Sequence, residues 1–199
     1  MMLITRGLTI IGGLMLWFHS QAFLASYLTG CGNHDTIHIA LTTLNDYAKN
    51  TPLFAEFLLA SSGLIVDIAA ITLVTLYIFG QLSTRTIMAL FGIFGFRQLC
   101  QLLVALPAPN GMIWFTPNMP SVLVTYETGV DFFFSGHTAI TAFFTFVMWS
   151  RTTDHLKRSL NIYLIVQLIW QITCIMILRS HWTQDVITAL LVAWIAATA

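Results

Sequence analysis

Two short stretches place residues capable of chemistry inside an otherwise apolar chain. One is Asp131-Phe-Phe-Phe-Ser-Gly-His-Thr138, and the other is Arg179-Ser-His-Trp-Thr-Gln-Asp185. Each sets a histidine where an apolar segment begins, among Phe, Ala, Ile and Val, and an imidazole there is costly to desolvate and an odd choice for filler. His181 and Asp185 are four apart and share a helix face, so the carboxylate can hold one ring N–H while the other nitrogen points at a substrate. A histidine nucleophile or base is built in this way. From a neighbouring helix, His137 can serve as the acid that protonates a departing oxygen. Ser135 and Gly136 stand at a helix start, where free N–H groups and the dipole favour an anion and glycine permits close approach. Arg97 and Arg179 add charge-assisted contacts to phosphate oxygens. Asp131 lies six residues before His137, about 9 Å along a helix, and with Thr138 forms a supporting shell.

The chemistry these parts fit is phosphoryl transfer on a lipid. His181 attacks phosphorus, His137 protonates the leaving alkoxide, and a phosphohistidine forms. A hydroxyl or water deprotonated by His137 then releases it, with the cationic groups stabilising the crowded phosphorus. No metal and no cofactor are expected.

The elements that must position these residues follow from composition. Of 199 residues, 57% are hydrophobic and 8% charged, against roughly 25% charged in soluble domains. The chain therefore reads as an all-α integral membrane protein with one membrane domain over 1–199 and a catalytic core over about 96–194. A span needs about 20 apolar residues, and six windows meet that need: Leu8 to Leu28, Leu53 to Phe79, Ile87 to Leu106, Phe132 to Trp149, Leu160 to Leu178 and Trp182 to Ala199. The expected architecture is a six-transmembrane-helix bundle. The first window could also be a signal peptide, with Ser20-Gln-Ala22 as a cleavage site. Zero formal charge argues against nucleic acid. The expected partners are the bilayer and its lipids, with no protein partner. Cys31, Cys100 and Cys174 form no metal or redox spacing and read as small buried residues.

Positive residues stay cytoplasmic. Arg6, Arg85, Arg151, Lys157 and Arg158 share one side, which puts both termini inside and both histidine stretches on the periplasmic, lumenal or exterior face. His19 reads as a hydrogen-bonded packing residue. Residues 30–52 carry Ile37, Leu41, Leu44 and Tyr47 at helical spacing and suggest an interfacial helix that covers the bundle. There His34, Asp35 and His38 read as an exposed helix face in preference to a weak metal site. Asp67, near the centre of its span, fits either a proton path or an internal hydrogen bond. Arg97 at mid-span calls for an anionic partner or a wet cavity. Trp114, Phe115, Pro117, Pro120 and Tyr126 suit an aromatic belt or the walls of a lipid slot. Asn161, Gln167 and Gln171 read as interhelical hydrogen bonders.

Phe134-Ser-Gly-His-Thr138, with Asp131 ahead of it, and His181-Trp-Thr-Gln-Asp-Val186 resemble the two histidine motifs of the sphingomyelin synthases and their relatives in the type 2 phosphatidic-acid phosphatase superfamily. Phe96-Arg97 with Leu106-Pro-Ala-Pro109 is similar to the segment preceding the first motif. The resemblance implies six spans, an outward-facing triad of His137, His181 and Asp185, and transfer of a phospho-head-group between lipids. The chain departs from it in three ways. It lacks a basic first motif of the lipid-phosphatase kind, Arg179 lies only two residues before His181, and Gly129-Val130 stands where the family has cysteine-glycine.

The leading expectation is a lipid phosphotransferase that moves a phosphocholine- or phosphoethanolamine-type head group from a glycerophospholipid to a ceramide- or diacylglycerol-like hydroxyl. A lipid phosphate phosphatase, acting on phosphatidic acid or a polyprenyl diphosphate, would use the same site. Outside enzymes, two histidines on adjacent membrane helices also suit a haem-binding electron carrier. A transporter would need broken helices or inverted repeats, and the sequence shows neither.

Overall fold

A computed structural model describes residues 15, 19, 35–104, 106–124, 126, 133–151 and 156–198, with only the backbone of 156–158. The chain divides into two compact units, Met1–His34 and Asp35–Ala199. In the first, Met15 and His19 are helical, and the His19 Nδ1 lies 2.8 Å from the Met15 carbonyl oxygen. The rest of the expected span Leu8 to Leu28 lies outside the described residues.

Within the second unit the described residues form seven helices and no strand: α1 (Thr36–Ala40), α2 (Thr42–Asn50), α3 (Pro52–Ile78), α4 (Thr84–Leu103), α5 (Gly136–Arg151), α6 (Leu156–Leu178) and α7 (Thr183–Thr198). Three are long and apolar enough to cross a membrane: α3, α4 and the Ser159–Leu178 part of α6. Two further windows, Phe132 to Trp149 and Trp182 to Ala199, correspond to the 16-residue helices α5 and α7. At 1.5 Å per residue each rises only about 24 Å.

Helix α5 is the centre of the bundle and packs against α3, α4, α6 and α7. Its sequence explains the placement. Thr138, Ala139, Thr141, Ala142 and Thr145 are small enough for neighbouring helices to approach closely, while Phe143 and Phe144 fill the remaining volume, and all seven are buried. The buried hydroxyls are satisfied inside the helix: Thr141 donates to the His137 carbonyl and Thr145 to that of Thr141, each at 2.8 Å. Amides on α6 join the bundle across helices, as expected of them. Gln171 Nε2 donates to Ser62 Oγ at 2.7 Å and Gln167 Nε2 to Thr145 Oγ1 at 3.4 Å. Cys100 and Cys174 are buried, and Cys31 lies outside the described residues.

Asp67 resolves in favour of the internal hydrogen bond. Its carboxylate accepts from Ser121 Oγ at 2.7 Å, Val122 N at 2.9 Å and Leu123 N at 3.1 Å, so one α3 side chain satisfies the backbone of an irregular loop.

The segment α1–α2 corrects an expectation. Its apolar residues Ile37, Leu44 and Tyr47 are exposed, while His38 and Asn45 are buried together with Ala48. His38 and Asn45 face protein, where they donate to the carbonyls of His181, Gly111 and Ile177. Asp35 and His38 are therefore not an exposed helix face. His34 lies outside the described residues.

Candidate active site

Both histidines follow a residue in the left-handed backbone region. Phe134 has φ 76° and Arg179 φ 52°, the only non-glycine residues with positive φ among those described. Such conformations cost on the order of 1–3 kcal/mol and persist where the surroundings hold them. Phe134 is held by complete burial and by the edge of its ring against Phe96, with centroids 5.8 Å apart. The turn it makes delivers Ser135 as the cap of α5: Ser135 Oγ accepts from Thr138 N at 3.3 Å and from Thr138 Oγ1 at 3.0 Å. Arg179 ends α6, where Ser180 N donates to Ile175 O at 3.1 Å and Arg179 N to Met176 O at 3.3 Å. This is the paired closure usually made with glycine. His181 lies two residues beyond Arg179, and α7 begins two residues after that.

These turns bring the two motifs together. The rings of His137 and His181 lie 6.3 Å apart between centroids, inclined by 62°. Trp114 stands edge-on to His137 at 5.8 Å. Asp185 is fully buried behind His181, with Oδ2 3.6 Å from His181 Nδ1. That exceeds a hydrogen bond, and catalytic contacts of this kind are commonly long before substrate binds. The same Oδ2 accepts from Trp182 N at 3.1 Å and so fixes the start of α7. His181 Nδ1 and Asp185 Oδ1 are buried without a hydrogen-bond partner among the protein atoms.

Arg97 reaches over the start of α5. A Cβ added at Gly136 would lie 3.0 Å from Arg97 Nε and 3.5 Å from Cζ. Glycine is needed here so that a guanidinium can lie against a helix N-terminus, and together they form a positive surface. Arg97, Gly136, His137, Ser180 and His181 line one part of a cavity of about 310 Å³, whose other walls include Val66, Ala70, Leu90, Phe91 and Phe94. A larger cavity, about 550 Å³, lies toward the other ends of α4, α5 and α7 and holds Arg85 and Arg151 but no histidine or acid. The smaller one carries the acid–base groups.

Not every predicted site residue converges. The guanidinium of Arg179 donates to Asn110 O at 2.7 Å, His38 O at 2.9 Å and Thr42 Oγ1 at 3.0 Å, and the residue does not line the cavity. Ser135 and Thr138 are buried, bonded to each other, and not on its wall. Asp131 lies outside the described residues. Among the described residues no group of three or more His, Cys, Asp or Glu is placed to hold a metal ion.

Sequence reasoning missed Asp35 and His38. His38 Nε2 donates to the His181 carbonyl at 3.0 Å. Asp35 accepts at 2.7 Å from both Thr183 N and Thr183 Oγ1. Burial alone would raise the Asp35 carboxyl, but the Thr183 and His38 hydrogen bonds outweigh it and hold it below its usual value. Burial, reinforced by Arg179, pushes His38 down against the opposing pull of Asp35. A helix-capping signal at Asp35 was visible in the sequence, but its partner 148 residues away was not.

Among the described residues these features define a helical bundle with three helices long and apolar enough to cross a membrane, and with a cavity that is lined by two histidines and Arg97. Residues 129–198 match the family model described as PAP2 superfamily C-terminal. The matched segment holds α5, α6, α7 and all three residues of the triad, and the match supports the superfamily, whose members are phosphatases or phosphotransferases. No curated protein and no solved structure matches the chain.

Proposed function

We propose that the protein is a six-span integral membrane lipid phosphotransferase of the sphingomyelin synthase-like kind, with its site on the periplasmic, lumenal or exterior face. The observation that carries this reading is the pairing of His137 with His181 on the wall of a cavity that is otherwise apolar, with Asp185 behind one ring and Arg97 beside the other. A lipid phosphodiester fits both halves of such a cavity: the apolar walls take hydrocarbon and the polar part takes the phosphate.

In the first step His181 Nε2, the ring nitrogen turned away from Asp185, bonds to phosphorus as the bond to the glyceride oxygen breaks. His137 gives its proton to that oxygen, and diacylglycerol leaves. In the second, the acceptor lipid's hydroxyl passes its proton to His137 while its oxygen bonds to phosphorus, and the His181 nitrogen is released. Asp185 balances the positive charge on the phosphorylated imidazole. Arg97 and the α5 N-terminus stabilise the oxygens of the five-coordinate phosphorus. With a lipid phosphomonoester as donor and water as acceptor, the same steps release inorganic phosphate and the site is that of a lipid phosphatase.

Purified protein is to be incubated with a fluorescent ceramide and a phospholipid donor, and separately with phosphatidic acid. A new phosphosphingolipid supports transfer, and free phosphate alone replaces transfer with hydrolysis. His137→Ala and His181→Ala are expected to lose at least about 10²-fold in either product. Wild-type activity in both variants refutes the site. A Soret band in the purified protein would favour the haem reading instead.

A further inference from the structure

We propose that Asp35 and His38 form a positioning arm that sets the direction of the His181 ring, an inference that rests on the reading of His181 as the attacking group. His181 lies in the non-helical link between α6 and α7, and such a link does not by itself fix a side chain. Three contacts from α1 and its cap do so. On His181 itself, His38 Nε2 donates to the backbone carbonyl at 3.0 Å, in a buried contact. Two residues later, both Asp35 carboxylate oxygens hold Thr183, one through the backbone N–H and one through the hydroxyl, each at 2.7 Å. One residue past His181, the Trp182 ring lies 5.8 Å from that of His38.

The arm is itself fixed. Asp35 Oδ1 accepts from Ile37 N at 3.1 Å and His38 N at 3.2 Å, so this carboxylate caps α1 and α7 together. The His38 carbonyl accepts from Arg179 Nη2 at 2.9 Å, which ties the arm to the residue two positions before His181. The link is thus gripped at 179, 181 and 183 by two residues of a distant segment, Asp35 and His38. Because the Nε2 contact is to a carbonyl, His38 must carry a proton on that nitrogen, and its role is that of a donor. Neither residue lines the cavity, so neither is a catalytic residue. They act through the His181 backbone.

A misplacement of about 1 Å at a reacting group can cost on the order of 10²-fold in rate. His38→Ala is therefore expected to lower turnover by about 10- to 100-fold, with KM within about twofold, because the phosphate-binding groups stay in place. His38→Gln presents an amide N–H at nearly the same reach and is expected to recover most of the rate. Thr183→Val deletes only the hydroxyl contact with Asp35 and is expected to give a smaller loss of the same kind. Equal loss in His38→Ala and His38→Gln, or a loss expressed mainly in KM, overturns the proposal.

A second readout is independent of activity. Carbethoxylation of His181 by diethyl pyrocarbonate, followed by peptide mass spectrometry on folded protein in detergent, is expected to rise severalfold in His38→Ala and not in His38→Gln. If wild-type protein transfers and hydrolyses nothing but the labelling pattern holds, the functional reading fails and the arm stands. If wild type is active and labelling is unchanged in His38→Ala, the arm fails alone.

Discussion

Asp185→Asn isolates the charge behind His181. The side chain is fully buried, and Oδ2 is the atom that faces both His181 Nδ1, at 3.6 Å, and Trp182 N, at 3.1 Å. An asparagine can place its amide oxygen at that position, keep the bond from Trp182 and keep the shape of the turn. What disappears is a full negative charge beside a ring that becomes cationic when phosphorylated. At 3.6 Å and an effective dielectric of about 20, that pair is worth about 4–5 kcal/mol. The amide dipole retains part of it, leaving a loss of about 2–4 kcal/mol in the transition state, or about 30- to 1,000-fold in turnover. The loss belongs in kcat, since the charge develops only as phosphorus is attacked. The new amide NH₂ falls where Oδ1 now lacks a partner, which costs about 1–3 kcal/mol of stability. Turnover and KM on the donor lipid are to be measured alongside thermal melting in detergent. A folded Asp185→Asn protein with more than about a third of wild-type turnover, under conditions where His181→Ala is inactive, would refute the charge argument.

Gly136→Ala is expected to lower turnover by about 10-fold or more with a small change in melting temperature, because a Cβ 3.0 Å from Arg97 Nε displaces the guanidinium from the phosphate end of the cavity. Full activity in this variant would remove Arg97 from the site. Asp67→Ala strips the acceptor from three donors of the 121–124 loop and is expected to cost about 2–3 kcal/mol, read as a lower thermal midpoint. For pH, the folded His38 lies below its ordinary 6.5, so its neutral form is favoured by folding. Its contribution is complete above 6.5 and is lost as pH falls below it; that of Asp35, held below 3.8, is lost only at still lower pH. The melting temperature is expected to fall between pH 7 and 5, and His38→Gln should flatten that slope.

Most of the site was legible because its chemistry is local. The four-residue spacing of His181 and Asp185 and the Ser-Gly-His start of α5 are local facts, readable without knowing what packs on them, although His181 stands in the link just ahead of α7 and not on a helix face shared with Asp185. Arg97 was legible for a different reason: a cation among apolar residues demands an explanation wherever it sits. Arg179 shows the limit. Its charge and its closeness to His181 in sequence both pointed to phosphate, yet the left-handed turn it occupies sends the guanidinium to Asn110, His38 and Thr42. Asp35 and His38 failed in the opposite direction. Their polarity reads as surface, and only the tertiary fold shows that the polar side of α1 faces protein and its apolar side faces away.

The same logic explains why both motifs begin outside regular helix. In hydrocarbon every backbone polar group needs a partner, and irregular backbone survives there only when protein buries it or a wet cavity receives it. Phe134, Ser135, Ser180 and His181 are all nearly inaccessible, and much of their backbone is answered from other elements. Ser135 N donates to Asp185 O at 3.4 Å, His38 Nε2 serves His181 O, and Ile113 N donates at 2.8 Å to Leu178 O just before the second turn. Helices α5 and α7, at about 24 Å, are short of the roughly 30 Å hydrocarbon thickness. In the proposed six-span reading, these cross-braced turns make up the difference. In the proposed orientation, ending the two helices early places their N-terminal N–H groups and both imidazoles inside the bundle and not at its rim. A phosphate held by a lipid anchored in the same membrane can be met there with little water present. Longer, regular helices would satisfy their own backbone more simply, but they would carry His137 and His181 out toward bulk water, where Asp185 and Arg97 would act through a higher dielectric and stabilise the transition state less.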